Sequence, residues 1–229
     1  MNGTMNIILG RECRIFRHDR AEYLLIQPVD DHDASLLEQE VEIIRKWTEK
    51  PFTLVSFQIH DWNKELTPWP APPVFGKTPF GAGAQQTLEF VINGLLPCLQ
   101  SQGIDASHKI LGGYSLAGLF TLWASYQTSV FDGVVAASPS VWYPDWIDYV
   151  TGFKPLATSV YLSLGDKEEK TKNPLMSQVG NAIRKQHEEL ESQGVNTILE
   201  WNPGNHFVDS EKRMAKGYTW VINNQTKGY

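Results

Sequence analysis

Cysteine is scarce in this chain: Cys13 and Cys98 are the two it has among 229 residues. That is too few for a disulfide framework, and without a CxxC spacing the thiols outline no zinc site. We expect two unpaired thiols, no metal centre and no cofactor. Long apolar runs are also missing. Nothing approaches the roughly 18 to 20 consecutive apolar residues that cross a bilayer, and residues 1–10 lack the basic stretch and apolar core of a secretory leader. The expectation is a soluble protein of the cytoplasm that engages no membrane. Basic residues are outnumbered, 20 Lys and Arg against 26 Asp and Glu, for a net charge of −6. Nucleic-acid binding rests on clustered Lys and Arg that displace counterions from phosphates, and the densest charge run, residues 166–172, is mixed in sign. No nucleic-acid partner is expected. With no internal repeat and no low-complexity linker, residues 1–229 read as one domain with one sizeable core.

What the chain does contain is an alternation of β-branched apolar runs with helical patterns, the signature of an α/β fold. Strands are expected at residues 21–27 and 52–58. Between them Leu36, Leu37, Val41, Ile44 and Trp47 recur at helical spacing. A stretch rich in Pro, Gly and Trp follows, residues 60–83, longer than the usual connection of about 4 to 6 residues. Loops of that length are commonly functional. Further helices are expected at residues 85–99, 116–127 and 207–222, and strands at 109–112, 133–137, 159–164 and 197–201. Asn173-Pro174 opens one more helix, with Asn as cap and Pro at the first position, and Gly194 ends it.

The chemistry concentrates where a strand turns straight into a helix: Gly112-Gly113-Tyr114-Ser115-Leu116-Ala117-Gly118. A tight corner of this kind is the nucleophile elbow of the α/β-hydrolase fold, a mostly parallel central sheet flanked by helices. It demands small residues two before and two after the serine, and Gly113 and Ala117 meet that demand, although Gly is usual at both places. The corner would lift the Ser115 hydroxyl clear of the sheet, with the Leu116 N–H at the helix start as an oxyanion donor. Ser115 also suits a plain helix N-cap, so the pentapeptide alone does not decide its role.

Chain order supplies a second test, because in this fold the acid and then the histidine follow the nucleophile. His206 lies in Asn202-Pro203-Gly204-Asn205-His206-Phe207, a broken turn between the last expected strand and the last helix, where the base belongs. The acid should follow the strand ending at Leu164, and there Asp166, Glu168 and Glu169 compete. Spacing from Gly165 favours Glu168, with Asp166 second and Glu169 third. The second oxyanion donor would come from the loop Ile59-His60-Asp61-Trp62, and we assign it to Asp61, though a backbone N–H leaves no side-chain signature. His60 is expected to help form the pocket or orient a substrate group. Trp62, Trp69, Trp142, Tyr143 and Trp146 gather near the expected mouth, where an apolar or aryl group could pack.

Four segments together resemble the esterase family of α/β-hydrolases that includes esterase D and the enterochelin (siderophore) esterases. They are the elbow at 112–118, Ala136-Ala137-Ser138-Pro139-Ser140-Val141-Trp142, Glu65-Leu66-Thr67-Pro68 and Gly204-Asn205-His206. The resemblance implies hydrolysis of small-molecule carboxylic esters through an acyl-enzyme, without a metal. It also implies that Trp142 and the loop over residues 61–73 line the pocket. Acyl transfer to acceptors other than water, or binding without catalysis on the same scaffold, are the alternatives.

Overall fold

The computed structural model describes residues 3–74 and 76–224. Met1 and Asn2, part of the N-terminal stretch read above for a leader, lie outside the described residues. The chain opens with β1 (Thr4–Ile8) and β2 (Arg11–Phe16), joined at Leu9 and Gly10. Their φ angles of 48° and 82° are both left-handed, as a two-residue hairpin turn of the primed type requires. Then come β3 (Tyr23–Val29), α1 (Asp31–Trp47), β4 (Phe52–Gln58), the short α2 (Trp62–Glu65) and α3 (Ala84–Glu89). A π-helical segment, Phe90–Leu95, leads into α4 (Leu96–Ser101). The second half holds β5 (His108–Tyr114), α5 (Leu116–Gln127), β6 (Gly133–Ala137), α6 (Trp146–Gly152), β7 (Ser159–Gly165), α7 (Val179–Ser192), β8 (Asn196–Asn202) and α8 (Ser210–Asn224).

The eight strands form one sheet in the order β1-β2-β4-β3-β5-β6-β7-β8. The pairs β1–β2 and β2–β4 are antiparallel, and every pairing from β4 through β3 to β8 is parallel. Side chains alternate across a strand, so each inner strand feeds two cores. Leu25, Ile110, Val135 and Tyr161 face α1 and α8, where they meet Leu37, Val41, Met214 and Tyr218. Leu24, Leu111, Val134 and Leu162 face the other layer, with Leu119, Trp146 and Ile183. Burial on both faces extends to every position of β3, β6 and β7, which are accordingly rich in apolar residues.

Three local departures from the sequence reading have physical causes. The helix expected at 85–99 is three pieces, α3, the π-helical segment and α4. Pro97 has no N–H to give back to the preceding turn, and a locally widened register accommodates the missing bond. Asn173 does cap, its Oδ1 accepting from Leu175 N at 3.0 Å and Met176 N at 3.1 Å. The first turn it starts is 3-10, Met176–Gln178, and α7 begins only at Val179. The last helix begins at Ser210 rather than Phe207 because Asp209, at φ 54°, turns the chain sharply first.

Parallel strands deliver their carboxyl ends to one edge. Ser115 follows β5, Ser138 follows β6, Glu168 follows β7 and His206 follows β8. That shared edge is where the site forms.

Candidate active site

Ser115 sits at φ 59° and ψ −122°, a conformation that costs a non-glycine residue roughly 1–3 kcal/mol and persists only where its surroundings impose it. They do so by contact. A Cβ on Gly113 would lie 2.3 Å from the carbonyl oxygen of Ala117, so only glycine fits beneath the corner. Gly118 lies against Pro139, where a Cβ would sit 3.1 Å from the proline Cα. The same turn is tied by Ser140 N donating to Ser115 O at 3.0 Å. Ser115 makes no side-chain capping bond to α5. Its hydroxyl instead lies 3.0 Å from His206 Nε2.

His206 Nδ1 is in turn 2.7 Å from Glu168 Oε2. The network fits one tautomer, with the proton on Nδ1 facing the carboxylate and Nε2 free to accept from the serine. Of the three candidate acids the structure brings Glu168 to the imidazole. Asp166 accepts from Gly204 N at 2.8 Å, fastening the turn that carries His206. Glu169 pairs with Arg184 at 3.3 Å. Burial pushes the Glu168 carboxyl up, but the hydrogen bond and charge of His206, the Ser138 hydroxyl and the Gly165 N–H outweigh it and hold the group below its usual value.

Behind this chain of contacts stands a residue that the sequence reading did not single out. Arg213, from α8, is 1% exposed. Its Nη1 donates to Glu168 Oε1 at 2.9 Å, to Ser138 Oγ at 2.8 Å and to Tyr114 Oη at 3.0 Å. Its Nη2 donates to Asn205 O at 2.9 Å. The signal was available: Arg213 falls one turn before Gly217 and Tyr218 on the buried stripe of α8, where a charge needs partners.

Two cavities meet at Ser115 and His206. The larger, about 680 Å³, is walled by Trp62, Leu116, Trp142, Met176, Val179 and Phe207, with Lys167 and Lys170 at its side. The smaller, about 200 Å³, is lined by Asp30, His32, Asp33, Tyr114 and Ser210. Trp62 and Phe207 belong to both. Trp62 and Trp142 therefore lie where they were expected. His60 does not: it is exposed and forms part of neither wall. Trp69, Tyr143 and Trp146 also stay out of the cavities. Trp146 is fully buried, Trp69 Nε1 donates to Pro144 O at 2.9 Å, and Tyr143 Oη donates to Trp69 O at 2.5 Å. Trp69 and Trp146 pack at a tilt against Tyr149, and Trp146 meets Tyr126 edge-on, closing the core below the long loop.

The assignment of Asp61 as oxyanion donor needs correcting. Its N–H is already given to Glu65 Oε1 at 2.8 Å, and the same oxygen takes the His60 N–H at 3.1 Å. Arg11 Nη2 holds the other oxygen of Glu65 at 2.5 Å. Burial pushes the Glu65 carboxyl up, but the Asp61 N–H, Arg11 and the His60 N–H bring it below its usual value. The next N–H along, that of Trp62, has no acceptor among the described residues, and Trp62 lines both cavities beside Ser115. At the elbow the Leu116 N–H is the first of α5, with no intrahelical partner.

No family model matches the chain. The uncharacterized Bacillus subtilis protein YbbA is 23% identical over 172 residues, which span 70% of this chain and 69% of that protein. Among solved structures, an IroE-like serine hydrolase from Shewanella oneidensis matches with a TM-score of 0.81 at 14% identity, covering 99% of this chain and 82% of that one. The siderophore hydrolase EstA from Aspergillus nidulans matches with a TM-score of 0.79 at 18% identity, covering 98% and 95%. The fold is thus that of the α/β-hydrolases, as the elbow and the strand order require. No helix among the described residues is long and apolar enough to cross a membrane.

Proposed function

We propose that this chain is a serine hydrolase that cleaves small-molecule carboxylic esters through an acyl-enzyme, with Ser115 as nucleophile, His206 as base and Glu168 as the acid that orients it. One observation carries the reading: an unbroken contact chain, Ser115 Oγ to His206 Nε2 to Glu168, at a strained elbow that opens into an apolar cavity. The names of the structural neighbours, a serine hydrolase and a siderophore hydrolase, favour the same reaction class.

In the first step Ser115 Oγ attacks the ester carbonyl while its proton passes to His206 Nε2. The carbonyl oxygen becomes an oxyanion held by the Leu116 and Trp62 N–H groups, which are fixed before the charge develops. The imidazolium, stabilised by Glu168, gives its proton to the departing alkoxide and an alcohol leaves. Water then repeats the sequence on the acyl-serine: it loses a proton to His206, and the carboxylic acid departs as Ser115 regains its hydrogen. Glu168 keeps its charge throughout, in line with the donors gathered on it.

The larger cavity, with Trp62, Trp142 and Phe207 in its wall, suits an ester with a bulky apolar or aryl portion. We assign the enzyme to the cytoplasm, where Cys13 and Cys98 stay reduced. Burial pushes the Cys13 thiol up to about 11, which leaves it inert. The test is Ser115→Ala with a fluorophosphonate probe. Wild type should form one adduct on Ser115 and hydrolyse aryl esters, and the variant should do neither while keeping its fold. Retained turnover in pure Ser115→Ala protein would remove the assignment.

A further inference from the structure

We propose that Arg213 is a positioning residue for this reaction, one that works through Glu168 and sets the register between the acid and the turn that carries the base. The inference rests on the hydrolase reading above. Its ground is reach. Through Nη1 the guanidinium holds the acid, Glu168 Oε1, together with Ser138 at the end of β6 and Tyr114, the residue before Ser115. Through Nη2 it holds Asn205 O, the carbonyl immediately before His206, and lies 3.4 Å from Pro203 O in the same turn. One planar group thus fixes parts of four different strand ends, those of β5, β6, β7 and β8. Arginine suits the task because its donors form a rigid fork, whereas a lysine carries a single point of charge.

Stability alone does not explain the residue. A buried ion pair gains little over well-packed apolar groups of the same volume. Here the balance is poorer still, because Arg213 Nε has no acceptor among the described residues. What the guanidinium adds is direction. With Oε1 held by Arg213, Ser138 and Gly165, the other oxygen of Glu168 is left facing His206 Nδ1. Ser138 and Gly165 also hold the carboxylate, but neither donates to the Asn205 carbonyl beside His206. Arg213 bonds to both while lining neither cavity itself, so a shift in its head group should misalign the imidazole more than it reshapes the pocket.

The experiment is a double-mutant cycle of Arg213→Lys with Glu168→Gln, read as kcat and KM on an aryl ester, with circular dichroism and Tm on each protein. Displacement of a catalytic group by about 1 Å costs on the order of 100-fold. Arg213→Lys should therefore lower kcat by roughly 30- to 100-fold and leave KM within about twofold. In the Glu168→Gln background the same change should cost under about threefold, because residues that act as one unit are not additive. Wild-type kcat in Arg213→Lys, or losses that multiply across the cycle, would overturn the proposal. So would an Arg213→Lys protein that cannot fold, which would make the residue a stability element. Failure of the hydrolase reading looks different: in that case wild type itself gives no Ser115 adduct. A labelled, active wild type beside an undiminished Arg213→Lys defeats this inference alone.

Discussion

The hydroxyl of Tyr114 donates to the main-chain carbonyl of His206 at 2.8 Å, so the residue beside the proposed nucleophile holds the residue that would activate it. The same oxygen accepts from Arg213 Nη1. Burial pushes the Tyr114 phenol well above its ordinary value, which keeps it a donor across the working pH range. Tyr114→Phe removes this tie without adding bulk. Losing a buried hydrogen bond leaves an unsatisfied partner, worth about 1–3 kcal/mol. We expect a Tm lowered by several degrees and kcat reduced by about 5- to 10-fold at unchanged KM, the displacement of His206 being smaller than when the whole Arg213 fork is replaced. Steady-state kinetics on the folded variant check it, and an unaltered kcat would detach the Tyr114 contact from catalysis.

Trp62 supplies a test that separates a main-chain donor from a side chain. Trp62→Pro deletes the N–H, and proline is tolerated at the first position of a helix such as α2. Asp61 has an extended backbone, φ −124° and ψ 92°, outside the helical region that a following proline disfavours. Trp62→Ala deletes the indole and keeps the N–H. Removal of one oxyanion donor costs about 10² to 10³ in kcat. The proline variant should therefore lose about that much relative to the alanine variant. Equal kcat in the two would assign the second donor elsewhere.

Asp33 lines the smaller cavity with Ser115 and His206. Burial pushes its carboxyl up to about 7, the charge of Asp30 adds to the rise, and His32 and His206 oppose it. A carboxyl raised on folding binds its proton more tightly in the native state. Its contribution to stability is therefore complete below the unfolded value of roughly 4 and is lost as pH rises toward about 7. Asp33→Asn should flatten this decline: Tm at pH 5 minus Tm at pH 8 should be smaller in the variant than in wild type. Parallel Tm curves would mean that Asp33 ionises freely.

Gly113 and Ala117 face each other across the elbow, and the two substitutions should behave oppositely. Gly113→Ala drives a methyl into the Ala117 carbonyl, an overlap that only backbone movement can relieve, at a cost of about 3 kcal/mol. Activity should fall more than about 100-fold because the hydroxyl moves with the backbone. Ala117→Gly restores the commoner small residue and should cost about 1 kcal/mol of helix stability, with kcat within about twofold of wild type. Urea midpoints and turnover on both proteins decide it.

Much of this arrangement was legible before any coordinates. The strands at Phe52–Gln58 and Gly133–Ala137 and the helix Leu116–Gln127 appear with the bounds read from the sequence, because buried parallel strands and a serine corner leave strong local marks. The hairpin of β1 and β2 went unread. Its strands are short and rich in polar residues, Asn6, Arg11, Glu12 and Arg14 among them, at one end of the sheet, and its turn uses Leu9-Gly10 in place of Asn-Gly. The short α6 follows Asp145, a left-handed residue at φ 64°, within a run of aromatic residues that gives no clear period.

At the site, chain order identified the neighbourhood of the acid, but the choice among Asp166, Glu168 and Glu169 depended on which side chain the turn after β7 buries. The aromatic residues were the least informative. A tryptophan that lines a cavity and one that closes a core have the same composition, and only packing told Trp142 from Trp146. Asp61 failed for a related reason: the N–H of a loop residue is spoken for, or free, according to one glutamate four positions further along.

The guanidinium that draws these turns together enters the chain 99 residues after Tyr114, and the imidazole 91 after Ser115. A chain that ends before the turn after β8 therefore holds the serine without its imidazole. On the mechanism proposed above, such a chain has no base for the serine proton, and the guanidinium joins the site only with α8.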